Sequence, residues 1–491
     1  MKFQVVQKFP EDLDAVIVRL LDGQKPEFSE LPGEVVKRLT AELKKADFKG
    51  KLGAVHYSRV PLGAKTKGVI VVGMGAECTP ESSRRAVAAA VRKAREVNLE
   101  KLGTATGGRL SHEQIGQFNV EGALLADYSF DTYRKKDKPK TELSYYLVGS
   151  SPKEVRGLQA GIKRGRVAAE AAMMARDLVN EPPSRLTPTE LARRAKKLTG
   201  SGVKVQVYDK AWAARQGMEA FLAVATGSDQ PPKFIRLEYV PTGTPNRAGS
   251  KRKHVVLVGK GITFDAGGIN LKPSRGGSLE DMKMDMAGGA AVIAVMSALK
   301  ALGVKHKVTA YVAATENLLG GSAMKPGDVL RAYNGKTIEV LNTDAEGRLT
   351  LADVLSYAEK RDKPDTMIDL ATLTATELSL GLDFAAVFGD EALTEELRKA
   401  GEEAGEKIWP FPLPDDYQET VKGRIAELRN TSTDRGYTIN GAVFLRNFVT
   451  KKTPWVHLDI GSTASSDKDR GYLKAGGTGF GVRLLLAYLT R

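Results

Sequence analysis

Cysteine is nearly absent: Cys78 stands alone in 491 residues. A single thiol excludes an internal disulfide and a thiolate metal cluster. Histidine is sparse too, with only His56, His112, His254, His306 and His457. They form no H-E-x-x-H pair, so a zinc site built on imidazole is not expected; His254 and His457 fall inside apolar strands and read as packing residues. No apolar run approaches the ~20 residues of a membrane span. The first residues, Met1-Lys2-Phe3-Gln4-Val5-Val6, lack the apolar block and small-residue cleavage site of a secretory signal. The expectation is a cytoplasmic protein.

Several nucleotide and nucleophile motifs are also missing. Gly73-Met74-Gly75 follows a strand, but Cys78 stands where a dinucleotide fingerprint needs its third glycine. Gly335-Lys336-Thr337 echoes the end of a P-loop, yet Leu330 replaces the first glycine and a strand follows instead of a helix. No G-x-S-x-G elbow occurs; Gly320-Gly321-Ser322-Ala323-Met324 does not match it.

What is present is a long, ordinary globular composition with a basic surplus. The length exceeds one compact core, and 42% hydrophobic residues argue against disorder. Lys and Arg number 74 against 59 Asp and Glu, a net charge of +15. Such a surplus attracts anions, nucleic acid among them. However, the basic residues are scattered among acidic ones, apart from runs such as Arg134-Lys135-Lys136 and Lys251-Arg252-Lys253, and aromatics are not interleaved as stacking platforms. Of the two readings, a solvated, soluble surface is favoured over a nucleic-acid site.

The pattern predicts a two-domain α/β protein: a smaller amino-terminal α/β domain over 1–151, a connecting helix over 152–179, and a larger domain over 180–491. The larger one has a mixed, largely parallel sheet flanked by helices. In the first part, Ala15–Leu20, Gly68–Val72 and Glu142–Val148 read as strands and Ser82–Val97 as a helix. In the second, strands are predicted at Val203–Val207, Lys233–Tyr239, His254–Val258, Val308–Ala313, Thr337–Leu341, Met367–Ala371 and Trp455–Ile460. Ligands of such sheets bind beyond the carboxyl ends of the strands. Polar groups gather there: Lys260 and Asp265 after one strand, Glu316 and Asn317 after another, Thr372 and Thr374 after a third.

The densest cluster is Asn342-Thr343-Asp344-Ala345-Glu346-Gly347-Arg348-Leu349, between a β-branched run and an amphipathic helix. If this turn is extended, Asp344, Glu346 and Arg348 project to one side. Crowded carboxylates repel unless a cation joins them, and hard divalent metals prefer oxygen ligands. Taken alone, each reads more readily as something ordinary: the stretch as a solvated loop with an ion pair, Asp285 as an N-terminal cap or dipole partner near the start of a helix opened by Met282–Ala291, and Lys260 and Lys272 as surface residues. Bland readings that must all hold together are less economical than one shared site.

Lys260 through Gly268, Lys272-Pro273-Ser274, Met282 through Ala291 and the eight-residue motif resemble the leucyl aminopeptidase (cytosol aminopeptidase) family of dinuclear metallopeptidases. The resemblance runs from about Asn180 to the end, including Trp455–Ile460 and Gly476–Arg483. It implies that Asp265 and Glu346 bridge two metal ions, that Lys260 and Asp285 complete one shell, and that Asp344 completes the other. Lys272 and Arg348 are then the catalytic non-ligands. A hydroxide shared by two metals roughly 3.5–4 Å apart attacks at neutral pH. By the same resemblance, Lys272 would stabilise the oxyanion and Arg348 would hold a bicarbonate that shuttles the proton. Met282, Asn342, Thr372 and Leu373 line the substrate cleft of relatives. Where the family usually has glycine after Thr374, this chain has Ala375, which leaves side-chain preference open. The resemblance thus implies an aminopeptidase for bulky apolar amino-terminal residues such as leucine. It also implies a homohexamer, with Mn²⁺ or Zn²⁺ as the expected ions, although a mixed O/N shell equally admits Co²⁺ and Mg²⁺. Two other readings are weighed: DNA binding, as in some bacterial relatives, and a two-metal phosphoesterase, which lacks its usual histidine ligands here.

Overall fold

The computed structural model describes residues 1–24, 31–62, 65–105, 109–135, 141–242, 252–274, 279–432 and 436–491. The loop Arg275-Gly276-Gly277-Ser278 and the basic residues Lys136 and Lys251 lie outside them. The chain divides into two compact units, Met1–Glu170 with Lys468–Lys474, and Ala171–Asp467 with Ala475–Arg491. The helix Pro152–Asn180 runs across the division.

The smaller unit holds a six-stranded sheet formed by Lys2–Val6, Ala15–Leu21, Val55–Leu62, Lys65–Gly75, Lys101–Thr104 and Ser144–Val148. In space the order is first, sixth, fifth, second, fourth, third, and only the last pair is antiparallel. Both faces are apolar because both are covered. Ile17, Ile70 and Val72 pack beneath the helix Pro80–Glu96, whereas Val16, Val18, Val69 and Val71 pack with Val35, Leu39 and Leu43 of the helix Gly33–Lys45. The helix predicted from Ser82 starts two residues earlier. Thr79 caps it in a reciprocal box with Ser82, and Pro80 sits in its first turn.

The larger unit is built on eight strands: β1 (Val203–Tyr208), β2 (Lys233–Tyr239), β3 (His254–Asp265), β4 (Lys307–Asn317), β5 (Thr366–Ala371), β6 (Phe384–Gly389), β7 (Lys407–Pro410) and β8 (Trp455–Asp459). Their order is β7-β6-β8-β5-β3-β4-β2-β1. The central run β8-β5-β3-β4 is parallel, as is β6-β7; the remaining pairs are antiparallel. Two helices pack on this sheet and carry the site, α1 (Ala287–Ala298) and α2 (Gly347–Asp362). Every residue of α1 except Ser297 is buried, which is why it is apolar all round. Its Gly288 lies so close to β5 that a Cβ there would stand 2.0 Å from the Leu370 carbonyl oxygen.

Two expectations change. Thr337–Leu341 does not enter the main sheet. Only Thr337–Glu339 is strand, and it pairs with Val329–Arg331 and Leu428–Arg429 in a separate three-stranded sheet. Val340 continues that antiparallel pairing, its N–H donating to the Asp328 carbonyl and its carbonyl accepting from Gly327 N. Moreover, β3 and β4 run further than their apolar cores suggested, so Lys260, Asp265, Glu316 and Asn317 are strand residues. These ends pair with each other, Ala313 with Lys260, Glu316 with Phe264 and Asn317 with Asp265, and this parallel ladder keeps them extended despite the polar side chains.

Candidate metal centre

Lys260 and Asp265 lie five positions apart on β3, an odd spacing that period-two geometry would send to opposite faces. The register between β3 and β4 slips there: Thr315 pairs with Ile262, but Glu316 pairs with Phe264. This bulge inserts one residue and restores both side chains to the same face. Asn317, at the end of β4 and 2% exposed, donates through Nδ2 to Asp265 Oδ1 at 2.8 Å and to the Thr343 carbonyl at 3.0 Å. It therefore orients a carboxylate and ties it to the motif turn. Glu316 points elsewhere, accepting from Ser228 at 2.5 Å.

The turn before α2 is not extended, contrary to the period-two reading. Glu346 has helical backbone angles (φ −78°, ψ −35°). Convergence is imposed instead by hydrogen bonds. Asn342 Oδ1 accepts from Asp344 N at 2.9 Å, an Asx-type turn. Thr343 Oγ1 donates to the Gly267 carbonyl at 2.6 Å, and Thr343 N donates to Asn270 Oδ1 at 2.9 Å. Gly267 (φ +88°) and Gly268 (φ +67°) take the left-handed conformations that this approach requires. The result brings carboxylate oxygens of Asp265, Asp344 and Glu346 within 4.8 Å of one another.

Asp285 does not cap α1, whose cap position is Met286 with no side-chain bond. Its Oδ1 instead accepts from Lys260 Nζ at 2.8 Å and from Thr372 Oγ1 at 2.6 Å. Lys260 Nζ also lies 2.9 Å from Glu346 Oε1 and donates to the Thr372 carbonyl at 2.9 Å. Lys272 Nζ bridges Asp265 Oδ2 at 2.9 Å and Asp344 Oδ1 at 2.5 Å. Arg348, 6% exposed, donates through Nη1 to the Asn430 carbonyl at 2.9 Å, and its Nε has no hydrogen-bond partner. Neither Lys260 nor Lys272 is a free surface residue.

These groups border a cavity of about 750 Å³. Lys260, Asp265, Lys272, Asp285, Asp344 and Arg348 line it; so do the four positions expected in the cleft, Met282, Asn342, Thr372 and Leu373. Glu346, 1% exposed, is not part of the lining. Asp459 shapes the wall from below. Its Oδ1 accepts from Leu373 N at 3.1 Å, and its Oδ2 accepts from Thr374 Oγ1 at 2.5 Å. His457, fully buried, pairs with Asp369 at 2.6 Å and stacks on Phe388, and His254 Nε2 meets Thr309 Oγ1 at 2.9 Å; both are packing residues as expected.

The charges do not balance. Four carboxylates, Asp265, Asp285, Asp344 and Glu346, face two ammonium groups. Burial, with repulsion from Glu346, holds Asp265 above its ordinary pKa, and burial holds Asp285 well above it despite Lys260. Asp344 is raised by burial and by Asp265. Burial alone would lower Lys260 and Lys272, but the surrounding acids outweigh it and both are raised. Burial brings Arg348 down to about 10. The donor set fits a divalent cation. Asp285 Oδ2 is buried with no hydrogen-bond partner, and Asp344 Oδ1 and Glu346 Oε1 are met only by ammonium groups that do not align as donors. Buried carboxylate oxygens in this state are held by positive charge or not at all.

Comparison with known proteins gives the same class. A model of the cytosol aminopeptidase family catalytic domain matches residues 173–486, and the model of that family's N-terminal domain matches 17–137. A probable cytosol aminopeptidase of Aquifex aeolicus is 38% identical, over 100% of this chain and 99% of its own length. One from a Picosynechococcus strain is 40% identical, over 99% and 94%. Among solved structures, a tomato leucine aminopeptidase mutant superposes with TM-score 0.87 at 31% identity, covering 100% of this chain and 96% of its own. The bottromycin maturation enzyme BotP in complex with Mn gives 0.84 at 34%, covering 97% and 99%. The chain belongs to the cytosol aminopeptidase family. It is accordingly a hydrolase, a metallo-aminopeptidase acting on peptides. Among the described residues, no helix is long and apolar enough to cross a membrane.

Proposed function

We propose that the enzyme releases bulky apolar amino-terminal residues, leucine among them, using a pair of divalent metal ions. Lys260, Asp265, Asp285, Asp344 and Glu346 would hold the pair. The observation that carries this reading is the convergence of buried, under-partnered carboxylates beneath one cavity. When bound, the pair supplies an activated water and an electrophile for the substrate's amino end and scissile carbonyl. Manganese in BotP makes Mn²⁺ the first ion to try.

The protein's own groups do the rest. Lys272, 17% exposed on its side chain, reaches into the cavity as an ammonium donor for the oxyanion that forms on the carbonyl. Arg348 presents a buried guanidinium with an unused Nε–H, suited to a planar anion such as bicarbonate that accepts and passes on a proton. Met282 and Leu373 give the wall an apolar part for the side chain, while Asn342 and Thr372 offer polar groups for the peptide backbone. A cytoplasmic homohexamer is proposed on family resemblance. The net charge of +15 supports a second, separable activity, DNA binding through phosphate contacts, which Glu346→Ala would leave intact.

The test is hydrolysis of leucine p-nitroanilide by protein stripped of metal and then supplied with Mn²⁺. Release is expected with Mn²⁺ only, and none from the N-acetylated substrate. Equal rates on the blocked substrate would overturn the reading.

A further inference from the structure

The small sheet apart from the main one has a use that its size conceals. Thr337–Glu339 pairs in parallel with Leu428–Arg429, with Glu339 opposite Arg429. One further bond, Asn430 N to the Glu339 carbonyl at 3.0 Å, extends this ladder to the edge of the motif turn. Asn430 is 0% exposed there, and its side chain is spent entirely on the turn. Oδ1 accepts from Leu341 N at 2.8 Å and Asn342 N at 3.3 Å. Nδ2 donates to the Asn342 carbonyl at 2.6 Å and the Ala345 carbonyl at 3.3 Å. These contacts grip the backbone on both sides of Asp344. The residue's own carbonyl is the acceptor for Arg348 Nη1 at 2.9 Å.

We infer that Asn430 is a positioning residue for the aminopeptidase reaction, holding the ligand-bearing turn and the Arg348 guanidinium in one frame. The inference rests on the metal reading proposed above. The chemistry of the amide explains the choice. Only a carboxamide offers two acceptor lone pairs and two N–H donors in one plane at this length. Aspartate would turn oxygen lone pairs toward the Asn342 and Ala345 carbonyls and add a negative charge beside a cluster already rich in acid. Glutamine would be one methylene too long for a fully buried site. Because the same residue fixes the turn by its side chain and Arg348 by its backbone, displacing it disturbs metal affinity and turnover together.

The experiment compares Asn430→Asp and Asn430→Ser with a control on α2, the helix that carries Arg348. Asp353 is also 0% exposed on α2, and it accepts from Phe221 N at 2.8 Å and Tyr333 N at 2.7 Å, so Asp353→Ala removes a buried anchor away from the turn. Four quantities are read: the melting temperature without metal, the Mn²⁺ dissociation constant from the metal-induced melting shift, and kcat and KM at saturating Mn²⁺. Both Asn430 variants are expected to bind Mn²⁺ about 10–100-fold more weakly, as supporting-residue changes around metal ligands do. Their kcat should fall at least about tenfold, with KM changed less, as expected when an interaction made mainly in the transition state is lost. Asp353→Ala should melt as early as either of them with Mn²⁺ affinity and kcat near wild type. Folded Asn430 variants with wild-type affinity and kcat would overturn the inference. So would an Asp353→Ala variant that loses affinity and kcat equally, because the effect would then follow from stability alone. If Asn430→Asp does not fold, the neutral, smaller Asn430→Ser decides by the same criteria. A wild type without any Mn²⁺ response would instead sink the metal reading itself.

Discussion

Gly347 allows the ligand set to be tested without altering any proposed ligand. It is the first residue of α2, and a Cβ placed on it would stand 2.4 Å from Lys260 Cε, 2.6 Å from Nζ and 2.8 Å from Cδ. All three atoms belong to the end of one flexible side chain, so Gly347→Ala should displace Lys260 and leave the backbone in place. Overpacking a buried site costs about 1–3 kcal/mol. Alanine's better helix propensity returns up to about 1 kcal/mol of that. The net loss, at most about 3 kcal/mol, is one that a fold of ordinary stability survives. The specific damage is larger, since Lys260 can no longer hold its contacts with Asp285, Glu346 and the Thr372 carbonyl together. Mn²⁺ affinity should fall about 10–100-fold, by analogy with the loss of groups that orient ligands. Isothermal titration of metal-free protein with Mn²⁺ measures this directly, with leucine p-nitroanilide turnover as the companion assay. A folded Gly347→Ala variant with unchanged affinity and turnover would refute the role given to Lys260.

Two further outcomes follow from the geometry. Lys272→Met removes the ammonium between Asp265 and Asp344, so kcat should drop about 10²–10³-fold, the usual cost of one oxyanion donor. Metal binding should be no weaker, because a competing cation has gone; loss of metal along with kcat would make Lys272 part of the scaffold. Asp353 gives a pH signature: burial pushes its carboxyl up to about 7. Since the folded pKa lies above the unfolded one, its stabilising contribution is complete below about pH 4 and is lost as pH rises through 7, about 4 kcal/mol in all. Asp353→Asn carries no such proton. Urea denaturation should therefore show the variant gaining on the wild type between pH 5 and pH 8, and a constant difference would mean that Asp353 holds no proton in the fold.

Much of the architecture was legible because it is local. Apolar β-branched runs marked β1 to β5 and β8. The spacing of Asp344, Glu346 and Arg348 identified the densest stretch, although the reason offered for its convergence, an extended turn, was not the one the fold uses. Thr337–Leu341 looked like a core strand because it is an apolar β-branched run, and Ile338, Glu339 and Val340 are indeed buried; periodicity cannot tell which sheet receives them. The bulge that aligns Lys260 with Asp265 depends on β4, some fifty residues away, and leaves no trace in β3. Asn430 and Asp459 were invisible for the same reason. Each is a single polar residue whose contacts with the motif turn or the cavity wall lie more than eighty positions off, and its role exists only once the sheets have formed.

The most direct test of the central claim is the number of metal ions held by the protein. Elemental analysis of the wild type, reconstituted with Mn²⁺ and dialysed, should find two ions per chain, and Glu346→Gln should hold fewer while remaining folded. Wild-type protein that hydrolyses leucine p-nitroanilide after chelation, with no metal above background, would contradict the account.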